Sequence, residues 1–315
     1  MTFATSDMNL LKSLSCFDDV VDISPISAGL SHSCFKVITP LQSYFAKRLH
    51  LKTAQQELFC SVHTAQFGLS PNIIYHDNDW LVTEFIDGIT LDKARLCTND
   101  KLPIALSLMA KLHMLPPQSN TQTLNSINTT TLAKNLFTNC ESLEQFQRST
   151  LKNINQILSL TIDKQQGHSV APNVLCHGDI NYSNIMLVPE SGKSNRSDVL
   201  LDDRSWLLDF ECAQLAPVEF DIAMFIAVNN IPFDLVDEVV AHYLEQSPEF
   251  IPNYRLLDNY ILYSFFINAL WYFTSNINLN SKTQLKQLVI EQCSAFDNYS
   301  ARQGIVLPSL MAILS

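Results

Sequence analysis

The apolar and polar positions of this chain change period once. Early segments alternate or run apolar over strand lengths: Val20-Val21-Asp22-Ile23, Cys34-Phe35-Lys36-Val37-Ile38, Tyr44-Phe45-Ala46-Lys47-Arg48-Leu49, Ile73-Ile74-Tyr75 and Trp80-Leu81-Val82-Thr83-Glu84-Phe85-Ile86. Runs of this length and composition predict half-buried strands. Thr39-Pro40-Leu41-Gln42-Ser43 and His76-Asp77-Asn78-Asp79 carry the residues of turns between them. An amphipathic helix over 7–19 leads in. Thr53 to Phe67 places Leu58, Val62 and Ala65 at helical spacing behind a threonine cap, and Gly68 ends it. From Leu91 onward the period is mostly helical. Helices are predicted over Leu102 to Leu115, over Thr131 to Leu160, and at about 218–229, 234–246, 253–276 and 281–298. Two short apolar runs interrupt them, at Val174-Leu175-Cys176 and Trp206-Leu207-Leu208.

Strands segregated from helices in this way predict an α+β fold of two lobes rather than an alternating parallel sheet. Asp87-Gly88 marks the change, which divides the chain into an N-terminal lobe, 1–86, and a C-terminal lobe, 87–315.

Composition narrows the function. With 47% hydrophobic and 16% charged residues in 315, the chain is a well-cored globule. A net charge of −11 disfavours nucleic acid, which needs a basic stripe, and suits a neutral or cationic small molecule. Eight scattered cysteines without a Cys-x-x-Cys pair read as buried thiols of a reducing cytoplasm. No signal-peptide pattern opens the chain. The longest nearly apolar run, Tyr260 to Phe273, is too short to span a bilayer and contains Asn268, so no membrane association is expected.

The two late strands carry the chemistry. His177-Gly178-Asp179-Ile180-Asn181-Tyr182-Ser183-Asn184 follows the first, and Asp209-Phe210-Glu211 ends the second. The polar stretch from Pro189 to Ser205 reads as a hairpin excursion between them. Phosphoryl transfer needs metal ions on the phosphates, acids and amides to hold them, and a carboxylate near the acceptor hydroxyl. Asp179 is the candidate for that carboxylate. Asn184 would offer a neutral oxygen to Mg²⁺ and Asp209 an anionic one, both hard ligands that suit this ion. Singly, each triplet is also what an ordinary turn contains. Together they follow a strand lysine, Lys47, and a helix glutamate, Glu57, in the order of the kinase signature set. The turn Ile26-Ser27-Ala28-Gly29-Leu30-Ser31-His32-Ser33 could present backbone N–H groups to phosphates or be a plain hairpin. Lys36 and Arg48 compete with Lys47 as cations, with solvent exposure as their default.

On these motifs the sequence resembles the aminoglycoside phosphotransferase and choline kinase superfamily, in its choline or thiamine kinase-like branch. His177 to Asn184 matches the family's His-x-Asp-x-x-x-x-Asn loop, and Asp209-Phe210-Glu211 its Asp-Phe/Trp-Glu strand. Asp221-Ile222-Ala223 has the spacing of its Asp-Leu-Ala helix start. The resemblance implies a bilobal protein-kinase-like fold: a small antiparallel-sheet lobe with one helix, then a larger, mainly helical lobe. It also implies ATP and Mg²⁺. Asp179, flanked by His177, would position or deprotonate the acceptor hydroxyl, and Asn184 and Asp209 would hold Mg²⁺. Lys47 would hold the phosphates, oriented by Glu57. Ser31 lies in the nucleotide loop, where Ala28 and His32 replace glycine and asparagine. Glu84 to Ile86 would offer backbone groups to adenine. Asp221 would brace the catalytic loop, and Glu211 could assist metal or acceptor.

The implied acceptor is a small hydroxylated molecule, of which choline, thiamine or a related amino alcohol suits an acidic chain. An aminoglycoside-type antibiotic, or a nucleotide-binding pseudokinase with no acceptor, are the alternatives. Phe265, Phe266, Trp271, Tyr272 and Phe273 share one predicted helix. Their rings can pack a core or face a cation. Tyr182, inside the catalytic loop, is the candidate exposed aromatic.

Overall fold

The computed structural model describes residues 2–26, 33–116, 124–138, 143–167, 172–188, 204–278 and 282–314. They form two compact units, Met1–Leu124 with Tyr182–Gln214, and Asn125–Asn181 with Leu215–Ser315. The change of period at residue 87 falls inside the first.

The first unit is built on a five-stranded antiparallel sheet of order β1-β2-β3-β5-β4. Its strands are β1 (Asp22–Ile26), β2 (Cys34–Ile38), β3 (Ser43–Arg48), β4 (Ile73–His76) and β5 (Trp80–Glu84). Successive side chains of a strand point to opposite faces, so the register sorts the sheet into two sides. On one, Phe35, Val37, Tyr44, Ala46, Trp80 and Val82 are buried with Leu11 and Phe17. Leu11 comes from α1 (Thr2–Lys12). That helix ends earlier than expected because Ser13, Ser15, Asp18 and Asp19 favour turns over helix, and Asp19 is left-handed at φ 49°. Asp7 of α1 pairs with the Arg48 guanidinium, which also lies 5.9 Å from the Trp80 ring. Arg48 is therefore tethered on this side of the sheet.

The other side carries Cys34, Lys36, Phe45, Lys47, Leu81 and Thr83, from the alternate positions of the same strands. Helix α2 (Ala54–Gln66) buries Ala54, Glu57, Cys60, Ser61 and Thr64, the three- and four-residue spacing of one helical face. A three-stranded antiparallel sheet of order β6-β8-β9 completes the unit with α3 (Thr98–His113). β6 is Ile89–Thr90, β8 Ile185–Val188 and β9 Arg204–Leu207. Pairing from Ile185↔Leu207 to Val188↔Arg204 makes β8 and β9 a hairpin, whose tip, 189–203, lies outside the described residues. β6 was not foreseen. It follows Gly88, where any Cβ would run into the Leu187 carbonyl oxygen, so glycine alone allows the strand to dock.

The second unit is mainly helical: α4 (Thr129–Thr138), α5 (Gln145–Gln166), α6 (Val218–Val228), α7 (Val236–Gln246), α8 (Tyr254–Asn278) and α9 (Lys282–Gln303). β7 (Val174–Cys176) pairs with β10 (Gln214–Ala216). The single helix expected over 131–160 is two, with α5 starting where Gln147 Oε1 accepts the Glu144 N–H at 2.8 Å. That contact satisfies an orphan donor of a helix start. α8 is apolar all round because it is enclosed. Tyr260 meets Phe220 of α6 at 5.5 Å and Phe266 meets Phe296 of α9 at 6.5 Å. The Tyr263 hydroxyl donates to the Thr129 carbonyl at 2.6 Å. Among the described residues no helix is long and apolar enough to cross a membrane, and the seven described cysteines are thiols rather than disulfides.

Candidate active site

In the first unit, β3 places Lys47 on the side of the sheet that faces α2. Its ammonium donates to Glu57 Oε1 at 2.6 Å and to Asp209 Oδ1 at 2.6 Å. Glu211 Oε2 follows at 3.9 Å. Lys47 is 4% exposed and Glu57 1%. Burial alone would lower the Lys47 pKa, but the Asp209 and Glu57 carboxylates outweigh it and hold the ammonium above the ordinary lysine value. For Glu57 the balance is reversed. Burial raises its carboxyl further than Lys47 lowers it.

Asp209 reaches Lys47 through its backbone. β9 ends at Leu207, Leu208 N–H bonds to the Asn184 carbonyl at 2.8 Å, and Asp209 follows at φ 66°. Left-handed backbone is tolerated by aspartate better than by most residues, at a cost of about 1–3 kcal/mol. The bond to Asn184 fastens the end of one motif to the other. The Gln56 side-chain amide of α2 donates to the Ala213 carbonyl and pins the chain beyond Glu211.

Around this cluster lies a cavity of about 560 Å³, which Lys47, Glu57, Asp209 and Asn184 all line. Its size lies within the range of small-molecule sites. Glu84 and Ile86 line it as well, as do Thr83 and Phe85. Glu84 N–H donates to the Asn72 carbonyl at 3.1 Å and Phe85 N–H to the Ser43 carbonyl at 3.2 Å. Lys36, read as solvent-facing, lines the cavity instead, with Nζ 4.1 Å from the Phe85 ring centroid. The register decides this, because Lys36 pairs with Phe45 and so shares a face with Phe45 and Lys47. Ser31, with the rest of its loop from 27 to 32, lies outside the described residues.

The second unit holds the other half of the motif. Asp221, fully buried near the start of α6, accepts the N–H groups of His177 at 2.9 Å and Gly178 at 2.8 Å. Gly178 stands at φ 76°, a conformation that favours glycine. His177 is fully buried, and its Nδ1 accepts the Asp179 N–H at 3.3 Å. Asn229, at the end of α6, donates to the Ile180 carbonyl at 2.9 Å. His177 and Asp179 are thus set on a loop held at both ends. Asp221→Asn is expected to cost about 1–3 kcal/mol, since an amide cannot accept both buried N–H groups equally. Thermal unfolding measures the loss, and an unchanged Tm would show that the anchor is dispensable.

Of the acceptor candidates, Phe265 and Phe266 belong to the core, at 1% and 0% exposure. Trp271 and Tyr272 are half-buried and stack edge to face at 5.3 Å. Burial first, then the charge of Asp179, raises the Tyr272 pKa, so this hydroxyl is within electrostatic reach of the loop aspartate. No sequence motif marks Tyr272 or Asn229 for these positions. Tyr182, of the first unit, is half-buried rather than exposed, with Lys101 Nζ 5.4 Å from its ring.

A lysine held by two carboxylates on the wall of a cavity, with an amide and further carboxylate oxygens beside it, can receive phosphates and a hard cation. Solved structures share this fold. The choline kinase LicA from Streptococcus pneumoniae superposes with a TM-score of 0.72 at 14% identity, over 94% of this chain and 100% of that one. An ethanolamine kinase from Plasmodium vivax does so at 0.66 and 16%, over 90% and 84%. A spectinomycin phosphotransferase, solved with ADP and spectinomycin, does so at 0.59 and 15%, over 98% and 96%. At these identities the likeness concerns the fold, and it agrees with the α+β architecture expected from the element order. No curated protein sequence matches the chain. The family model described as the phosphotransferase enzyme family matches residues 22–257, well over half of the chain, and the chain belongs to that family.

Proposed function

We propose that this protein is an ATP- and Mg²⁺-dependent kinase that phosphorylates a hydroxyl of a small cationic metabolite. The observation that carries the reading is Lys47, held at 2.6 Å by both Glu57 and Asp209 on the wall of the cavity that Asn184 also lines. Lys47 would contact the nucleotide phosphates, and Glu57 would keep its side chain in place. The Asn184 and Asp209 oxygens fit Mg²⁺, and Glu211 is near enough to Lys47 to share that charge balance. When bound, the ion neutralises charge on the transferred phosphoryl group. Asp179 would accept the proton of the acceptor hydroxyl, with the buried His177 and Asp221 fixing its loop.

A cationic acceptor is supported by the net charge of −11 and by the half-buried Trp271–Tyr272 pair, whose ring faces attract cations. Fold relatives that include choline and ethanolamine kinases support it further. The test is ADP release from Mg·ATP with choline, ethanolamine, thiamine and spectinomycin offered in turn. Turnover with one of the first three is expected. Turnover with spectinomycin alone would replace the acceptor class, and nucleotide binding without turnover on any acceptor would leave a binding module.

A further inference from the structure

We propose that Lys36 reads the edge of the purine, so that the cavity takes guanine nucleotides as well as adenine nucleotides. This rests on the nucleotide reading of the cavity given above. On the cavity side of the sheet, the register forms two cross-strand rows, Cys34–Lys47–Leu81 and Lys36–Phe45–Thr83. Rows two residues apart are separated by about 7 Å. The first row carries the lysine and carboxylate cluster, which makes it the phosphate end. The second adjoins Glu84 to Ile86, where a base would meet the backbone.

At that end part of the backbone is already engaged. The N–H groups of Glu84 and Phe85 bond to Asn72 and Ser43, and the Glu84 carbonyl accepts the Thr83 hydroxyl at 3.0 Å. Of these three residues the backbone N–H left for a base is that of Ile86, while the Glu84 carbonyl keeps a second lone pair. Lys36 adds a charged donor. Its ammonium is held 4.1 Å from the Phe85 centroid, a cation–π contact that fixes its place. Among the described residues no carboxylate lies within ion-pair distance of it. A guanine presents two acceptors along one edge, O6 and N7, whereas adenine presents N7 beside an amino donor. An ammonium there finds two acceptors on the first edge and only one, beside a donor that repels it, on the second. Elsewhere in the cavity wall the buried Thr90 Oγ1 has no partner among the described residues, leaving a hydroxyl for a polar group of the ligand such as a ribose oxygen.

The test is calorimetric titration of the full chain with Mg·ADP and Mg·GDP, for the wild type, Lys36→Met and Lys36→Arg. In the wild type, GDP is expected to bind within about threefold of ADP. Lys36→Met should weaken GDP by roughly tenfold and ADP by much less. Lys36→Arg, which keeps a donor pair for O6 and N7, should retain GDP. ADP binding without GDP binding would overturn the proposal and leave the kinase reading standing. Equal weakening of both nucleotides by Lys36→Met would also overturn it, since Lys36 would then serve the phosphates. Failure of both nucleotides to bind the wild type would sink the nucleotide reading and this inference together.

Discussion

Asp179→Asn is expected to lower kcat by about 10²–10⁴-fold and leave ADP affinity unchanged. The substitution keeps size and planarity, so the loop should stay as Asp221 and Asn229 set it, through bonds to His177, Gly178 and Ile180. What is lost is the capacity to take a proton. Acceptor-dependent ADP release, compared with calorimetric ADP binding, separates the two effects. A fall in kcat of less than about tenfold would deny Asp179 the role of base. Asp221→Asn should differ in kind, moving Tm together with kcat, because Asp221 acts on the loop rather than on the acceptor. Tyr272→Phe offers a milder comparison, as it removes only a hydroxyl that senses the Asp179 charge.

Lys47→Met should destabilise the fold by about 3–5 kcal/mol near neutral pH, the scale for stripping one partner from a buried ion pair. The methionine keeps the apolar stem but leaves Glu57, 1% exposed, facing the Asp209 and Glu211 carboxylates without a cation. The loss depends on pH with a definite sign. Burial already raises the Glu57 pKa above the ordinary carboxylate value, and without Lys47 nothing opposes that rise. A carboxyl with a raised folded-state pKa favours the fold most below its unfolded pKa. That contribution is lost as pH climbs through the folded-state value. Lys47→Met should therefore approach wild-type stability in acid and fall away from it toward neutrality. Adding Glu57→Leu should recover most of the loss, since an apolar pair of similar volume needs no solvation. Denaturant unfolding at several pH values measures both. Equal destabilisation at all pH values, or no recovery in the double variant, would mean the ion pair is not what Lys47 contributes.

The sheet, the helices after residue 217 and the motif order follow from local pattern. Strand period, helix period and turn residues are properties of neighbouring residues, and neighbours are what a sequence displays. The helix expected over 131–160 divides because Gln147 offers the Glu144 N–H a start-of-helix partner, and apolar periodicity does not register such a break. The strand at Ile89–Thr90 is too short to show a period, and it exists because Gly88 admits the Leu187 carbonyl.

The site divides along the same line. By itself the sequence determined which residues travel together: His177 to Asn184 within one loop, Asp209 with Glu211 past one strand, and the order of Lys47, Glu57 and these motifs. Those relations are carried by covalent spacing. Only the tertiary structure decided which cation meets the carboxylates. Lys36, Lys47 and Arg48 are equally charged in the sequence. Strand register placed Lys47 against Glu57 and Asp209, Lys36 against Phe85, and Arg48 on the opposite side with Asp7 and Trp80. The left-handed turn at Asp209 belongs to the same class. Each depends on contacts between segments distant in the chain, and long-range packing selects them where local propensity is silent.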